Sequence, residues 1–236
     1  MRTKEEWERE VEALWIEAAH AFFLIGLIVT CVDPELGNPD SPNRYLEDLE
    51  KIDPRKLRGI FYAGLDIGKQ VDHSALAVVQ KINGKRKLIY KHQFPLGTSY
   101  PDVIGHVARA NQIFDFGSIY VDKTGVGDVI IDEMNEIGIP NAEGLFLTDR
   151  SKEEIFTYLK LLMEQKKLGI LSDDTELIAQ INEQHYEYLQ PKTARERIHL
   201  KFWHPPRRHD DQLFALALAC YASKEEEPTL LVAYPR

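Results

Sequence analysis

The sequence predicts a mixed α/β domain on a five-stranded sheet, with three antiparallel strands first, parallel strands after them, and flanking helices. Three observations predict it. Short β-prone runs crowd the stretch from Gly59 to Phe94, with Asn83-Gly84, a strong hairpin turn, between two of them. From Pro101 onward helical and strand periodicities alternate. The stretch from Asp210 to Ala222 is rich in Ala and Leu and reads as a buried helix.

Taken in order, Trp7, Val11, Leu14, Trp15, Ala18 and Phe22 share one face of an amphipathic N-terminal helix. An apolar run to Val32 and a turn-rich stretch to Asn43 follow, so residues 1–57 read as a helix and linker segment. Residues 58–224 form the domain, and 225–236 a tail. Its strands are predicted at Ile60 to Gly68, Ala75 to Ile82, Lys87 to Phe94, Gly117 to Asp122 and Glu143 to Thr148. A helix opens at about Pro101, with Val103, Val107, Ala110 and Phe114 on one stripe, and another covers Val126 to Ile137. Ser151 to Glu154 reads as a capping box for a helix whose inner face is Ile155, Leu159, Leu162 and Met163. Residues 174–184 form a further helix, and Tyr186 to Leu189 with Ile198 to Trp203 a hairpin.

Composition excludes several classes. The 236 residues are 44% apolar and 28% charged, which suits one packed core rather than disorder. Two cysteines, Cys31 and Cys220, without Cys/His clustering argue against a disulfide scaffold and a structural zinc site. The longest apolar run, Ala21 to Val32, has 12 residues, and a membrane span needs about 20. It follows an acidic stretch, unlike a signal peptide, so the chain reads as soluble and intracellular, without a membrane partner.

The net charge of −9 argues against coating nucleic acid by bulk electrostatics, but the charge is uneven. Residues 1–53 carry 5 basic and 13 acidic side chains. Lys81 to His92 carries five Lys/Arg and no acid, and Pro191 to His209 six against Glu196 alone. The two basic blocks point to local phosphate contacts beside a carboxylate cluster, or to solvated loop charge.

Asp66 lies in an otherwise apolar strand, where an unpaired carboxylate is costly. Asp122 ends a strand before the glycine-containing turn Lys123-Thr124-Gly125-Val126-Gly127, where α/β sheets place ligand groups, although a turn-stabilising Asp also fits. Asp210 and Asp211 open the last helix, where an ordinary N-cap is the alternative. An all-carboxylate set suits Mg²⁺ or Mn²⁺, which supply an attacking water and clamp a phosphodiester. The reaction class is then hydrolysis of a nucleic acid backbone.

Three segments carry a resemblance. Tyr62-Ala-Gly-Leu-Asp66-Ile-Gly-Lys-Gln-Val-Asp72-His-Ser74, Tyr120-Val-Asp122-Lys-Thr124-Gly125-Val-Gly127-Asp and His209-Asp210-Asp211-Gln-Leu-Phe-Ala215 resemble, in order, the acidic motifs of the nuclease domain of phage large terminase subunits. The resemblance spans roughly residues 58–223. It implies the ribonuclease H-like fold and metal-dependent endonucleolytic cutting of double-stranded viral DNA concatemers during packaging, in the host-cell cytoplasm. It implies Asp66, Asp122 and Asp211 as catalytic metal ligands, with Asp72 and Asp210 at assisting positions, Asp210 as a further metal-site acid. His209, just before the acid pair, reads either as an accessory group orienting a carboxylate or as a surface or capping histidine. DNA contacts are expected from Lys123, Arg195, Arg197, Lys201, Arg207 and Arg208. Implied partners are double-stranded DNA, the portal, the small terminase subunit and an ATPase motor. Two departures stand out: no G-x-x-x-x-G-K-[ST] loop occurs, and Phe214 stands where many relatives carry another acid. Alternatives are a resolvase- or transposase-like nuclease of this fold, an actin-like ATPase, and a non-catalytic docking module.

Overall fold

The computed structural model describes residues 20–68, 72–139, 141–190, 198–206 and 208–224. The predicted N-terminal amphipathic helix lies outside them up to residue 19, as do the tail residues 225–236. A short helix α1 (Ile25–Val29) and two 3-10 turns precede a sheet of six strands. Its strands are β1 (Ile60–Asp66), β2 (Ala75–Ile82), β3 (Lys85–Gln93), β4 (Phe116–Asp122), β5 (Ala142–Leu145) and β6 (Leu168–Gly169). Their spatial order is β5-β4-β1-β2-β3-β6. β1, β2 and β3 are antiparallel neighbours, while β4 runs parallel to β1 and β5 parallel to β4. The sixth strand was not predicted: two residues, pairing Arg86 with Leu168 and Lys87 with Gly169, are too few to leave a periodic signal.

The β2–β3 turn takes the left-handed conformation at both central residues, Asn83 (φ 49°) and Gly84 (φ 76°), as an Asn-Gly hairpin requires. Helices α2 (Tyr100–Phe114), α3 (Val129–Glu136), α4 (Asp149–Glu164), α5 (Thr175–Asn182) and α6 (Asp211–Ala222) complete the domain, with a separate hairpin of β7 (His185–Leu189) and β8 (His199–Trp203). The helix α4 starts earlier than predicted: Thr148 is its N-cap, and Thr148 and Ser151 satisfy each other's backbone amides.

The sheet is packed on both faces. Val103, Val107 and Phe114 of α2 meet Ala63, Leu65, Leu76 and Val78 on one side. On the other, Ala75, Ala77 and Val79 meet α4, α5 and the almost wholly buried α6. α6 lies directly on the backbone of β1. A Cβ at Gly64 would sit 2.1 Å from the Ala215 carbonyl oxygen and 2.3 Å from the Ala219 nitrogen. Only glycine allows that approach.

The first basic block is structural rather than phosphate-facing. Arg86 is buried and donates to the Ser223 hydroxyl and carbonyl at the end of α6. Lys87 pairs with Asp33 (2.9 Å) and Glu35, and Lys91 with Asp174 (2.6 Å). Lys81 donates to the Ser223 carbonyl. These cations bind the linker and the final helix to β2 and β3, which their strand position had concealed.

Candidate active site

Side chains alternate across a strand, so a residue two beyond Gly64 shares its α6-facing side. That residue is Asp66, the last of β1. On the parallel neighbour β4, the Tyr120 ring packs at a tilt against Tyr221 of α6 (centroids 5.8 Å apart), and two residues on is Asp122, the last of β4. Both carboxylates thus leave the same ends of adjacent parallel strands on the side where α6 begins with Asp211. Asp122 accepts a hydrogen bond from the Thr124 amide (2.7 Å), so the turn role and the site role coexist in one side chain.

Asp66, Asp72, Asp122, Asp210 and Asp211 line one pocket of about 270 Å³, with Thr124, Lys152, His204, Arg208, His209 and Phe214 among its other walls. Electrostatics records the crowding. Burial, and then Asp122, Asp211 and Asp210, push the Asp66 carboxyl well above the ordinary carboxylate range. Burial, and then Asp210, raise Asp211 to about 6, against the pull of His209 and His73. Asp210 is raised by burial too, in part offset by His204 and Lys152. The dipole of α6 favours an ionised carboxylate in its first turn, but burial and the neighbouring acid outweigh it at Asp211.

One expectation changes. Asp210 occupies the N-cap position of α6, but its side chain makes no cap hydrogen bond. The Gln180 carboxamide oxygen accepts from the Gln212 and Leu213 amides instead (3.0 and 3.1 Å). Among the described residues, the Asp211 Oδ2 atom is buried with no hydrogen-bond partner.

No protein-family model matches the chain. The curated large terminase subunit of Thermus phage G20c is 28% identical over 162 residues, 68% of this chain and 31% of that protein. The chain thus spans about a third of the length of the curated relatives it matches. Among solved structures, the large terminase nuclease of thermophilic phage G20c is 26% identical with a TM-score of 0.57, over 70% of this chain and 83% of that one. The same nuclease with bound magnesium gives 26% and 0.57, over 69% and 80%.

The chain has the fold of a large terminase nuclease. Within this terminase-nuclease fold the donor set suits a hard divalent cation, being carboxylate oxygens with one buried atom left without a donor. Among the described residues no three ligand-type side chains are already closed to coordination distance, so the acids ring the pocket rather than meet at a point.

The remaining predicted residues fall as follows. Asp72 is exposed at the pocket edge; His209 is exposed, with Nδ1 4.0 Å from Asp211 Oδ2 and its ring 5.6 Å from that of His73. Lys123 is turned onto Asp128 (2.6 Å) and the Phe146 ring, away from the acid pocket's lining. Lys201 pairs with Glu187 across the hairpin (3.3 Å), and Arg208 lines the pocket while pairing with Glu183 (3.2 Å). Arg195, Arg197 and Arg207 lie outside the described residues. Sequence reasoning missed His73, His204, Lys152 and Gln180. The one available signal was Lys152, a cation in the first turn of a helix, where the dipole disfavours it.

Proposed function

We propose that the chain is a metal-dependent endonuclease acting on double-stranded DNA, the part of a phage large terminase that cuts concatemers during packaging. One observation carries the reading: Asp66, Asp122 and Asp211 converge from two strand ends and a helix start on one pocket, with an unpartnered buried carboxylate oxygen. The likeness to a terminase nuclease solved with bound magnesium supports it. Asp66, Asp122 and Asp211, with Asp210, would hold Mg²⁺ or Mn²⁺. Bound there, such an ion supplies Lewis acidity and a water of lowered pKa.

The side chains do the rest. The turn after β4 fixes Asp122 through the Thr124 amide, and Gln180 fixes the start of α6, so the carboxylates arrive oriented. Asp72 and His209, at the pocket edge, are placed to accept and pass on a proton of the attacking water. Arg208, with Arg195, Arg197, Arg207, Lys123 and Lys201, would track the backbone phosphates, a sequence-independent and salt-dependent contact. The portal, the small terminase subunit and an ATPase motor are the partners this role requires, and virion assembly places it in host cytoplasm.

Incubation of the purified chain with supercoiled plasmid is the test. Nicking or linearisation is expected with Mn²⁺ or Mg²⁺ and none with excess chelator, and added ATP should change neither. Full cleavage in chelator would overturn the metal reading, and ATP turnover would point to the actin-like alternative.

A further inference from the structure

We propose that Lys152 is the cation through which this chain meets the scissile phosphate, sharing the acid pocket with the metal. The proposal rests on the nuclease reading above.

Placement is the first ground. Lys152 stands in the first turn of α4 and lines the pocket together with Asp66 and Asp210. Its charge bears on both carboxylates. The second is how it is held. Its ammonium lies over the Phe214 ring, 5.0 Å from the centroid. Phe214 is on α6, three residues after Asp211 and therefore on a neighbouring part of the same helix face. The lysine is thus indexed to the helix that carries the acid pair.

The third ground is availability. Other lysines and arginines near the pocket are tied to carboxylates outside its lining, Arg208 to Glu183, Lys123 to Asp128 and Lys91 to Asp174, so any phosphate that Arg208 or Lys123 tracks lies along the flanking backbone rather than at the acid cluster. Among the described residues, none lies within ion-pair distance of Lys152. A cation at this helix position works against the dipole. Breaches of local preference like this one collect where a site needs them.

An ammonium offers three donors and no acceptor. It can therefore donate to a non-bridging phosphate oxygen, where negative charge builds as water attacks. Lys152 forms no bond to phosphorus and gives up no proton. Water supplies the hydroxyl that joins phosphorus as the bond to the departing sugar oxygen breaks, and its proton passes by way of the pocket-edge groups Asp72 and His209 to that oxygen.

The test compares the parent chain with Lys152→Met and Lys152→Arg, by Mn²⁺ titration calorimetry and by steady-state cleavage of a short duplex. Removing a like charge from the pocket should tighten Mn²⁺ binding by about five- to thirtyfold in Lys152→Met. The same variant should lower kcat by about 30-fold or more, with KM within about threefold, since the contact strengthens in the transition state. Lys152→Arg, which keeps the charge, should hold Mn²⁺ affinity within about twofold and recover part of the rate. Tighter Mn²⁺ binding shows that the charge sits in the metal's field, and the fall in kcat at near-constant KM marks the contact with phosphate. Phe214→Leu frees the ammonium without removing it and should lower kcat by about three- to tenfold. A Lys152→Met variant that binds Mn²⁺ no more tightly, or cleaves within threefold of the parent, overturns the proposal alone. A parent chain that binds Mn²⁺ but cuts no DNA overturns the nuclease reading, and the proposal with it.

Discussion

Gly64→Ala is the substitution that most directly couples fold to site. The added methyl would meet the Ala215 carbonyl oxygen at 2.1 Å, the Ala219 nitrogen at 2.3 Å and the Leu218 Cβ at 2.8 Å. Two of these are backbone atoms of a packed helix and cannot rotate aside. Restoring an ordinary contact of 3.4 Å needs a retreat of 3.4 − 2.1 = 1.3 Å by α6 or β1. Overpacking of this kind costs about 1–3 kcal/mol and more when the backbone must yield. At about 2–4 °C per kcal/mol for a chain of this size, a Tm loss of about 6–12 °C follows at the upper end. The same retreat pulls Asp211 from Asp66 by about an ångström. Functional geometry tolerates roughly half that, and a misplacement of this size costs about a hundredfold in rate. Melting curves and plasmid cleavage rates measured on the same preparations read both effects. Gly105, in α2, meets nothing within 4 Å and serves as the control; Gly105→Ala should gain about 0.5–1 kcal/mol with unchanged cleavage. A Gly64→Ala protein melting within about 2 °C of the parent and cutting at a comparable rate refutes the close-packing argument.

Two further outcomes are expected. Asp66→Asn, Asp122→Asn and Asp211→Asn should each abolish cleavage while leaving the protein folded, whereas Asp210→Asn should leave reduced but measurable cleavage. An inactive Asp210→Asn beside an active Asp211→Asn reverses the assignment within the pair. In chelator, the folded state holds the Asp211 proton more tightly than the unfolded chain, its carboxyl being raised from 3.8 to about 6. That contribution is full below about pH 3.8 and lost as pH rises through about 6, so Tm should fall over this window. Asp211→Asn should flatten the fall, and an unaltered slope would show that this carboxyl does not control it.

What the sequence disclosed follows from how local each signal is. β1, β2 and the Asn83-Gly84 turn are written in runs of a few residues, and their ends fall within one or two residues of the structure. Asp66 stood out as a carboxylate inside an apolar strand, whereas Asp122 and Asp211 kept a turn or cap reading until the fold brought all three to one pocket. Gln180 was not legible, since the amides it accepts from lie more than thirty residues away. Lys152 was half-legible, a cation in a first turn but inside what looked like an ordinary capping box. The lysines and arginine of β2 and β3 misled for the opposite reason. A run of like charge says nothing about Asp33, Glu35 and Asp174, which meet it only in the folded chain.

The Gln180 cap also bears on how this chain can drift. In most helices an acid at the first position is pinned by its duty to the backbone, so losing it unravels a turn. Here that duty belongs to a neutral side chain on another helix, and the acids at 210 and 211 are released from it. Mutation at either position leaves the fold with its closing hydrogen bonds. A chain relieved of the site's chemistry could therefore lose either acid at little cost to folding.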